Sequence, residues 1–350
     1  MPRSDLVLLS ALLFLVSPAA LGAEVVQSAL DGEALVAVGE DLHTLSAGGE
    51  AASDGLPAGL RLRRVRPLRS GWVATGRSQG AAGEELVVLR RRAGALERLP
   101  APSAPETAYQ SWGVPLVADG RLIGLAWLEG DEQSAMSVRV ARWSDGEWRE
   151  HETVATPTDG TQTALDGAVL TDGSWLLVWS AFDGTDDEIQ WSLLAHDGWT
   201  TPAVLHAAND VPDIVPAVVA SGSGALAAWS RFDGADYRLR LAHFSGAVWS
   251  ERNWTADPGS LFPLFLTVGA ETTLLFRAEV PERWWLAELD PDGGLGRTAS
   301  LASERLDRPL VRLSATGVLF AWPRRGGDAE RADGAPIERE SVDVPWDPQP

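Results

Sequence analysis

Residues 166–207 read DGAVLTDGSWLLVWSAFDGTDDEIQWSLLAHDGWTTPAVLHA and divide into four short segments separated by turn residues. The first, GAVLT at 167–171, is a short apolar strand. The second, SWLLVWS at 174–180, is continuously apolar, as expected for a strand buried on both faces. The third, EIQWSLLAH at 188–196, alternates: Ile189, Trp191, Leu193 and Ala195 share one side, and Gln190, Ser192 and Leu194 the other. The fourth is WTTPAVLHA at 199–207. A single four-stranded unit of this kind cannot bury both faces and must stack against neighbours.

Such neighbours are present along the chain. A Pro or Gly before a short apolar run recurs at Pro67, Pro115, Gly167, Pro216, Pro263 and Pro309, in steps of 48, 52, 49, 47 and 46 residues. An apolar run ending in an aromatic recurs at Trp127, Trp179, Trp229, Phe276 and Trp322, in steps of 52, 50, 47 and 46. A Gly-containing turn followed by Trp reaches Trp148, Trp199 and Trp249, in steps of 51 and 50. A period of about 40–50 residues with several strands per repeat predicts an all-β fold, a β-propeller of four-stranded antiparallel blades.

The repeats predict seven blades, or six if 83–99 (GEELVVLRRRAGALERL) folds as a helix. The last repeat lacks an evident fourth strand, since residues 326–350 are mostly polar and Pro-rich. The segment 24–30 is expected either to open the first blade or to pair with the last and close the ring.

Arg3, the apolar stretch 6–16 (LVLLSALLFLV) and the small residues of 17–23 (SPAALGA) have the pattern of a cleavable signal peptide. Eleven apolar residues are too few to span a bilayer, which needs about 20. The expected organisation is a signal peptide at 1–23, one propeller domain at 24–346 and a tail at 347–350, in a secreted or periplasmic protein of bacterial type with no transmembrane segment.

Composition narrows the chemistry. The 350 residues carry a net charge of −20; all 29 basic residues are Arg, and Lys and Cys are absent. Lysine-dependent phosphate loops and Schiff bases are excluded, as are disulfides and thiolate chemistry. Nucleic acid is not an expected partner, because phosphate contact requires a basic face. The 16 Trp outnumber the 8 Phe and 2 Tyr together; Trp127, Trp179, Trp229 and Trp322 are assigned to blade packing, while Trp112, Trp284 and Trp285 fall outside the period and can offer stacking faces.

The runs WSAFDGTDDEIQWSLLAHDGWTTPAVLHAANDVPDIVPAV and WSRFDGADYRLRLAHFSGAVWSE resemble the repeats of sialidase-like propellers. That family joins its third and fourth strands by an Asp-box turn, Ser-x-Asp-x-Gly-x-Thr-Trp. Worn counterparts are Ser144-Asp145-Gly146-Glu147-Trp148, Asp197-Gly198-Trp199-Thr200, and Ser245-Gly246 before Trp249. In an active member the resemblance implies a Tyr nucleophile, a Glu, an Asp and three Arg that grip a substrate carboxylate. Tyr109 and Tyr237 are the only tyrosines, and Arg66 of Arg64-Val65-Arg66-Pro67 is the loose counterpart of the family's Arg-Ile-Pro element.

Among other motifs, Gly76-Arg77-Ser78-Gln79-Gly80 matches a nucleophile elbow, but the repeats place it in a hairpin where no α/β setting exists. The five His show no two-His helix spacing, and His196 and His243 share one repeat position, which points to a structural role. With strands in order A to D, the B-to-C and D-to-A loops share one rim, and that rim is acidic. Its candidate ligand-binding residues are Asp166, Asp183, Asp186, Asp187, Asp210, Asp213, Asp233 and Asp236. They fit a cationic partner, or calcium at Asp183, Asp186 and Asp187; Asp-Gly turns and solvated charge explain the same residues. The expected function is that of an exported, monomeric, non-catalytic propeller that binds or scaffolds a protein or glycan through this rim. It needs no cofactor beyond that calcium. The alternative is a sialidase-like glycoside hydrolase.

Overall fold

A computed structural model describes residues 28–30, 33–38, 41–46, 61–79, 84–92, 95–102, 109–131, 135–157, 161–182, 184–206, 209–252, 254, 259–268, 271–279, 281–304, 309–313, 317–323 and 339–347. The predicted signal peptide lies outside them. The chain is a β-propeller. Five of its blades have four antiparallel strands, taken in chain order as A to D.

The second blade comprises Arg61–Leu68, Gly71–Gln79, Glu84–Arg92 and Ala95–Arg98; the third, Tyr109–Ala118, Arg121–Gly130, Ser137–Ser144 and Glu147–Ala155. The fourth comprises Gln162–Val169, Trp175–Phe182, Asp187–Ala195 and Gly198–Trp199, with Ala203–Val204 on the same outer edge. Asp213–Ser221, Gly224–Phe232, Tyr237–Ser245 and Val248–Arg252 form the fifth blade, and Leu261–Val268, Glu271–Glu279, Glu282–Leu289 and Leu295–Ala302 the sixth. The A strands of successive blades lie against one another.

The count differs from the predicted seven, or six. Only five blades are complete among the described residues, and the two end repeats form three-stranded sheets. The first contains Ser28–Leu30, Glu33–Val38 and Asp41–Ser46. Ser28–Leu30 pairs with Glu33–Leu35, so this segment opens the first sheet. The last sheet contains Leu310–Leu313, Gly317–Pro323 and Arg339–Pro345, its second and third strands being separated by the polar segment 324–338. Glu84–Arg92 and Ala95–Arg98 are strands where a helix was the alternative: Leu86, Val87, Val88 and Leu89 are all buried, so the run is covered on both faces.

The continuous apolar run at 175–179 shows why the blades stack. Trp175, Leu177 and Trp179 pack toward Val114, Leu116, Ala126 and Val138 of the third blade. Leu176 and Val178 pack the other way, against Val218, Ala225, Ala227 and Trp229 of the fifth. The same division recurs on either side, so the hydrophobic core is a series of layers between blades. Trp127, Trp179 and Trp229 are fully buried at the periodic position and Phe276 nearly so. Trp284, an aperiodic candidate for ligand stacking, is also a core residue, packed with Leu264, Leu286 and Val311. Trp285 stacks on Phe276 with ring planes 3° apart.

Candidate functional site

The predicted rim acids separate into exposed and buried sets. Asp210 and Asp233 are exposed, and Asp236 and Asp187 half-buried. Asp183 lies outside the described residues, so the calcium site drawn through it does too. Asp233 closes the turn between the B and C strands of the fifth blade, accepting from the N–H groups of Ala235 and Asp236 at 3.0 and 2.9 Å and pairing with Arg238. These donors, the Asp236 N–H foremost, hold its carboxyl down to about 2 from 3.8. A depressed carboxyl contributes stability above its unfolded value that is lost as pH falls through the folded one. A carbon-detected NMR titration should therefore find Asp233 ionised well below pH 3.8, with its midpoint near 2; a midpoint at 3.8 would show that the turn does not hold it.

Asp166, Asp186 and Asp213 are buried. Asp166 sits inside the A strand of the fourth blade. One carboxylate oxygen faces Arg64 Nη2 at 3.1 Å and accepts the Val218 N–H at 3.0 Å; the other faces Arg66 Nη2 at 3.3 Å and accepts the Gly167 N–H at 2.8 Å. One carboxylate thereby joins the A strands of the second, fourth and fifth blades. Burial pushes the Arg64 guanidinium below its ordinary value; Asp166 opposes the fall and Arg66 adds to it.

Arg66, the counterpart of a substrate-gripping arginine, is thus engaged by a carboxylate of the chain itself. Tyr109 starts the A strand of the third blade and packs against the core between the third and fourth blades. Tyr237 starts the C strand of the fifth and packs its ring on Phe232 at 5.4 Å. Among the described residues, neither hydroxyl is hydrogen-bonded to a Glu.

Nor do the worn Asp-box turns behave as a family signature. Asp145-Gly146 and Gly246-Ala247 join C to D strands as two-residue hairpin turns with both residues at positive φ, 54° and 84° in the first and 58° and 66° in the second. Asp119-Gly120 does the same between A and B strands, at 49° and 64°. Tight hairpin turns of this hand demand Asp-Gly or its equivalents, so turn geometry explains the recurring residues without the Asp box.

Asp213 belongs to a second buried group, between the fourth and fifth blades. In the fourth blade the indole N–H of Trp179 donates to Gln162 Oε1 at 2.5 Å; in the fifth the indole N–H of Trp229 donates to Asp213 Oδ1, also at 2.5 Å. A neutral acceptor in one repeat is a charged one in the next, and the cross-strand partner changes with it, from Ala181 to Arg231. Arg231 Nε donates to Asp213 Oδ1 at 2.8 Å, and Asn209 Nδ2 to Oδ2 at 2.9 Å. His206 Nε2 lies 3.3 Å from Asp213 Oδ2 and 3.1 Å from Glu188 Oε2, its ring stacked on Trp229 with planes 16° apart. Glu188 Oε1 accepts the Asn209 N–H at 3.1 Å. Burial raises the Glu188 carboxyl to about 7; the Asn209 N–H opposes this, Asp213 and Asp186 reinforce it, and Arg231 opposes it. Glu188, His206 and Asp213 are the residues that come within metal-ligand reach of one another among those described. Their separations along the chain fit no ligand motif. The readable signal was the acid at 213 where the preceding repeat has Gln.

A third feature repeats around the axis. Trp112, Ala164, Val215 and Phe262 stand at one position of four successive A strands, all with positive φ, at 51°, 39°, 52° and 58°. Each marks a break in the A-to-B register, and the second blade has a matching break between Leu62 and Arg64. Bulges of this kind re-aim side chains, and a non-glycine residue there costs about 1–2 kcal/mol. They lie toward the rim of the B-to-C and D-to-A loops. Trp112 and Val215 are half-buried there, while Phe262 and Phe182 are 44% and 40% exposed.

No family model and no curated protein matches the chain. Among solved structures, it is similar to TolB from Acinetobacter baumannii, with a TM-score of 0.51 and 13% identity over 82% of this chain. The chain spans 65% of the length of that TolB. Lower likenesses include a protein of unknown function from Dyadobacter fermentans (TM-score 0.46, 12% identity, 92% of this chain and 94% of that one). Another is a puromycin-hydrolyzing peptidase from Mycobacterium tuberculosis (0.47, 15%, 87% and 49%). The TolB likeness is one of fold, a β-propeller. The narrower sialidase-like resemblance expected from the repeats finds no support in that likeness.

Proposed function

We propose that the chain is an exported, non-catalytic β-propeller that recognises a protein or glycan ligand through the rim of its B-to-C and D-to-A loops. The observation that carries this reading is the strained bulge repeated in four A strands. Left-handed backbone at non-glycine residues is retained where the surroundings over-determine it, and it concentrates at ligand sites. Here the bulges stand at the rim end of the A strands, where Phe262 is 44% exposed and Trp112 packs against the core between the third and fourth blades. Asp210, Asp233 and Asp236 flank them, giving aromatic and apolar faces beside carboxylates. Export rests on the sequence of residues 1–23.

The hydrolase alternative is weakened by the Arg64–Asp166–Arg66 group, in which the guanidinium expected to hold a substrate carboxylate already holds an internal one. The test is binding of the mature chain to a glycan array and to a panel of cationic peptides. Phe262→Ala should weaken the binding found at least about tenfold with an unchanged melting temperature. Binding that is indifferent to Phe262 would place recognition elsewhere. Turnover of a fluorogenic sialoside that disappears in Tyr109→Phe or Tyr237→Phe would replace this reading with the hydrolase.

A further inference from the structure

We propose that Glu188, His206 and Asp213 form a buried site for one zinc ion, which clasps the fourth blade to the fifth. The site is separate from Asp210, Asp233 and Asp236, the rim acids given a part in ligand recognition above, and is independent of that reading. Its three donor atoms lie within 4.8 Å of one another, with His206 Nε2 at 3.1 Å from Glu188 Oε2 and 3.3 Å from Asp213 Oδ2. Zinc bonds of about 2.0–2.2 Å set the edges of a coordination tetrahedron at about 3.3–3.6 Å.

Glu188 Oε2 is buried and has no hydrogen-bond partner. Although it lies 3.1 Å from the imidazole, the two are not aligned as donor and acceptor. It is a carboxylate oxygen directed at a point that His206 and Asp213 also face. The outer oxygens are tied down. Glu188 Oε1 takes the Asn209 N–H, and Asp213 Oδ1 takes Trp229 and Arg231. Metal sites orient their ligands with outer hydrogen bonds of this sort, and the Trp229 stack fixes the imidazole plane as well.

Charge supports the same conclusion. The ionisable groups that act on Glu188 are Asp186, Asp213 and Arg231, with His206 in contact. With Glu188 itself, three carboxyl groups face one guanidinium, an excess of acid that a divalent cation would offset. An imidazole nitrogen with carboxylates suits zinc or a similar transition metal, whereas calcium and magnesium take oxygen shells. The side chains of His206 and Asp213 are wholly inaccessible to solvent, so the ion is structural. A fourth donor would be a water.

The test uses the full, untagged chain, stripped with chelator, dialysed against zinc and freed of excess metal. It should retain one zinc per chain by mass spectrometry and melt several degrees higher than the stripped protein. Glu188→Gln and His206→Asn should each lose the zinc and its thermal effect while keeping the circular dichroism of the stripped wild type. Absence of retained zinc with an unmoved melting temperature would overturn the proposal, as would stoichiometric zinc in both variants. Should the variants fail to fold, X-ray absorption on the wild type decides. One imidazole among oxygen donors supports the site, and an all-oxygen shell or several imidazoles overturns it.

Discussion

Asp166→Ala is expected to lower the stability of the folded chain by about 3–5 kcal/mol, the range for removing one partner of a buried ion pair. The side chain of Asp166 is 2% exposed and those of Arg64 and Arg66 are 10% and 24% exposed, so the substitution leaves two guanidinium groups without their counter-charge. It also removes the acceptor of the Val218 and Gly167 N–H groups, in strands that cannot rearrange without opening the ladder. The loss should appear in urea unfolding as a lower midpoint at an unchanged slope. A control separates pairing from packing: replacing Asp166, Arg64 and Arg66 together by apolar residues of similar volume should recover much of the loss, because no uncompensated charge remains. A loss under about 1 kcal/mol for Asp166→Ala would mean that water compensates the arginines and that the three A strands are not joined through this carboxylate.

The second large effect is expected at Trp229. Trp229→Ala should cost about 3–5 kcal/mol, the usual range for emptying an aromatic position in a core. Trp229 is fully buried between the fourth and fifth blades, beside Val178, Ile189 and Val218. Trp229→Phe separates the two contributions. It keeps most of the apolar contact but withdraws the indole N–H from Asp213 and reduces the surface beneath His206, and should cost about 1–3 kcal/mol. Trp179→Phe makes the same change against the neutral Gln162 and should cost less, since a carboxylate loses more than an amide with its donor. Equal losses at the two positions would show that the charge at 213 does not depend on its indole partner.

Much of the fold was legible because the five repeats from the third onward each place one large aromatic late in the B strand. Trp127, Trp179 and Trp229 entered the layers their spacing assigned. The site was less legible. The Asp-rich loops were read as one acidic rim, either a ligand site or solvated turns, yet Asp166 and Asp213 are buried partners of arginines on other strands, whereas Asp233 is held by its own turn. Asp-Gly composition marks turns well and is silent on which carboxylate faces inward. The worn Asp boxes misled for the same reason, since positive φ at Asp145-Gly146 and Gly246-Ala247 selects these residues in any tight hairpin.

By itself the sequence determined the repeat, the strand order within a blade and the apolar layers between blades. These depend on periodicity and on residues close along the chain, where side-chain alternation and turn chemistry act locally. Only the tertiary structure decided the burial of the acids. It also decided the company of the charged residues: Arg64 and Arg66 with an Asp 100 residues away in the case of Arg66, and Glu188 and His206 with Asp213. The ring brings those strands together at fixed angles. Electrostatic partnership follows distance in space and burial, and neither can be read from spacing along the chain.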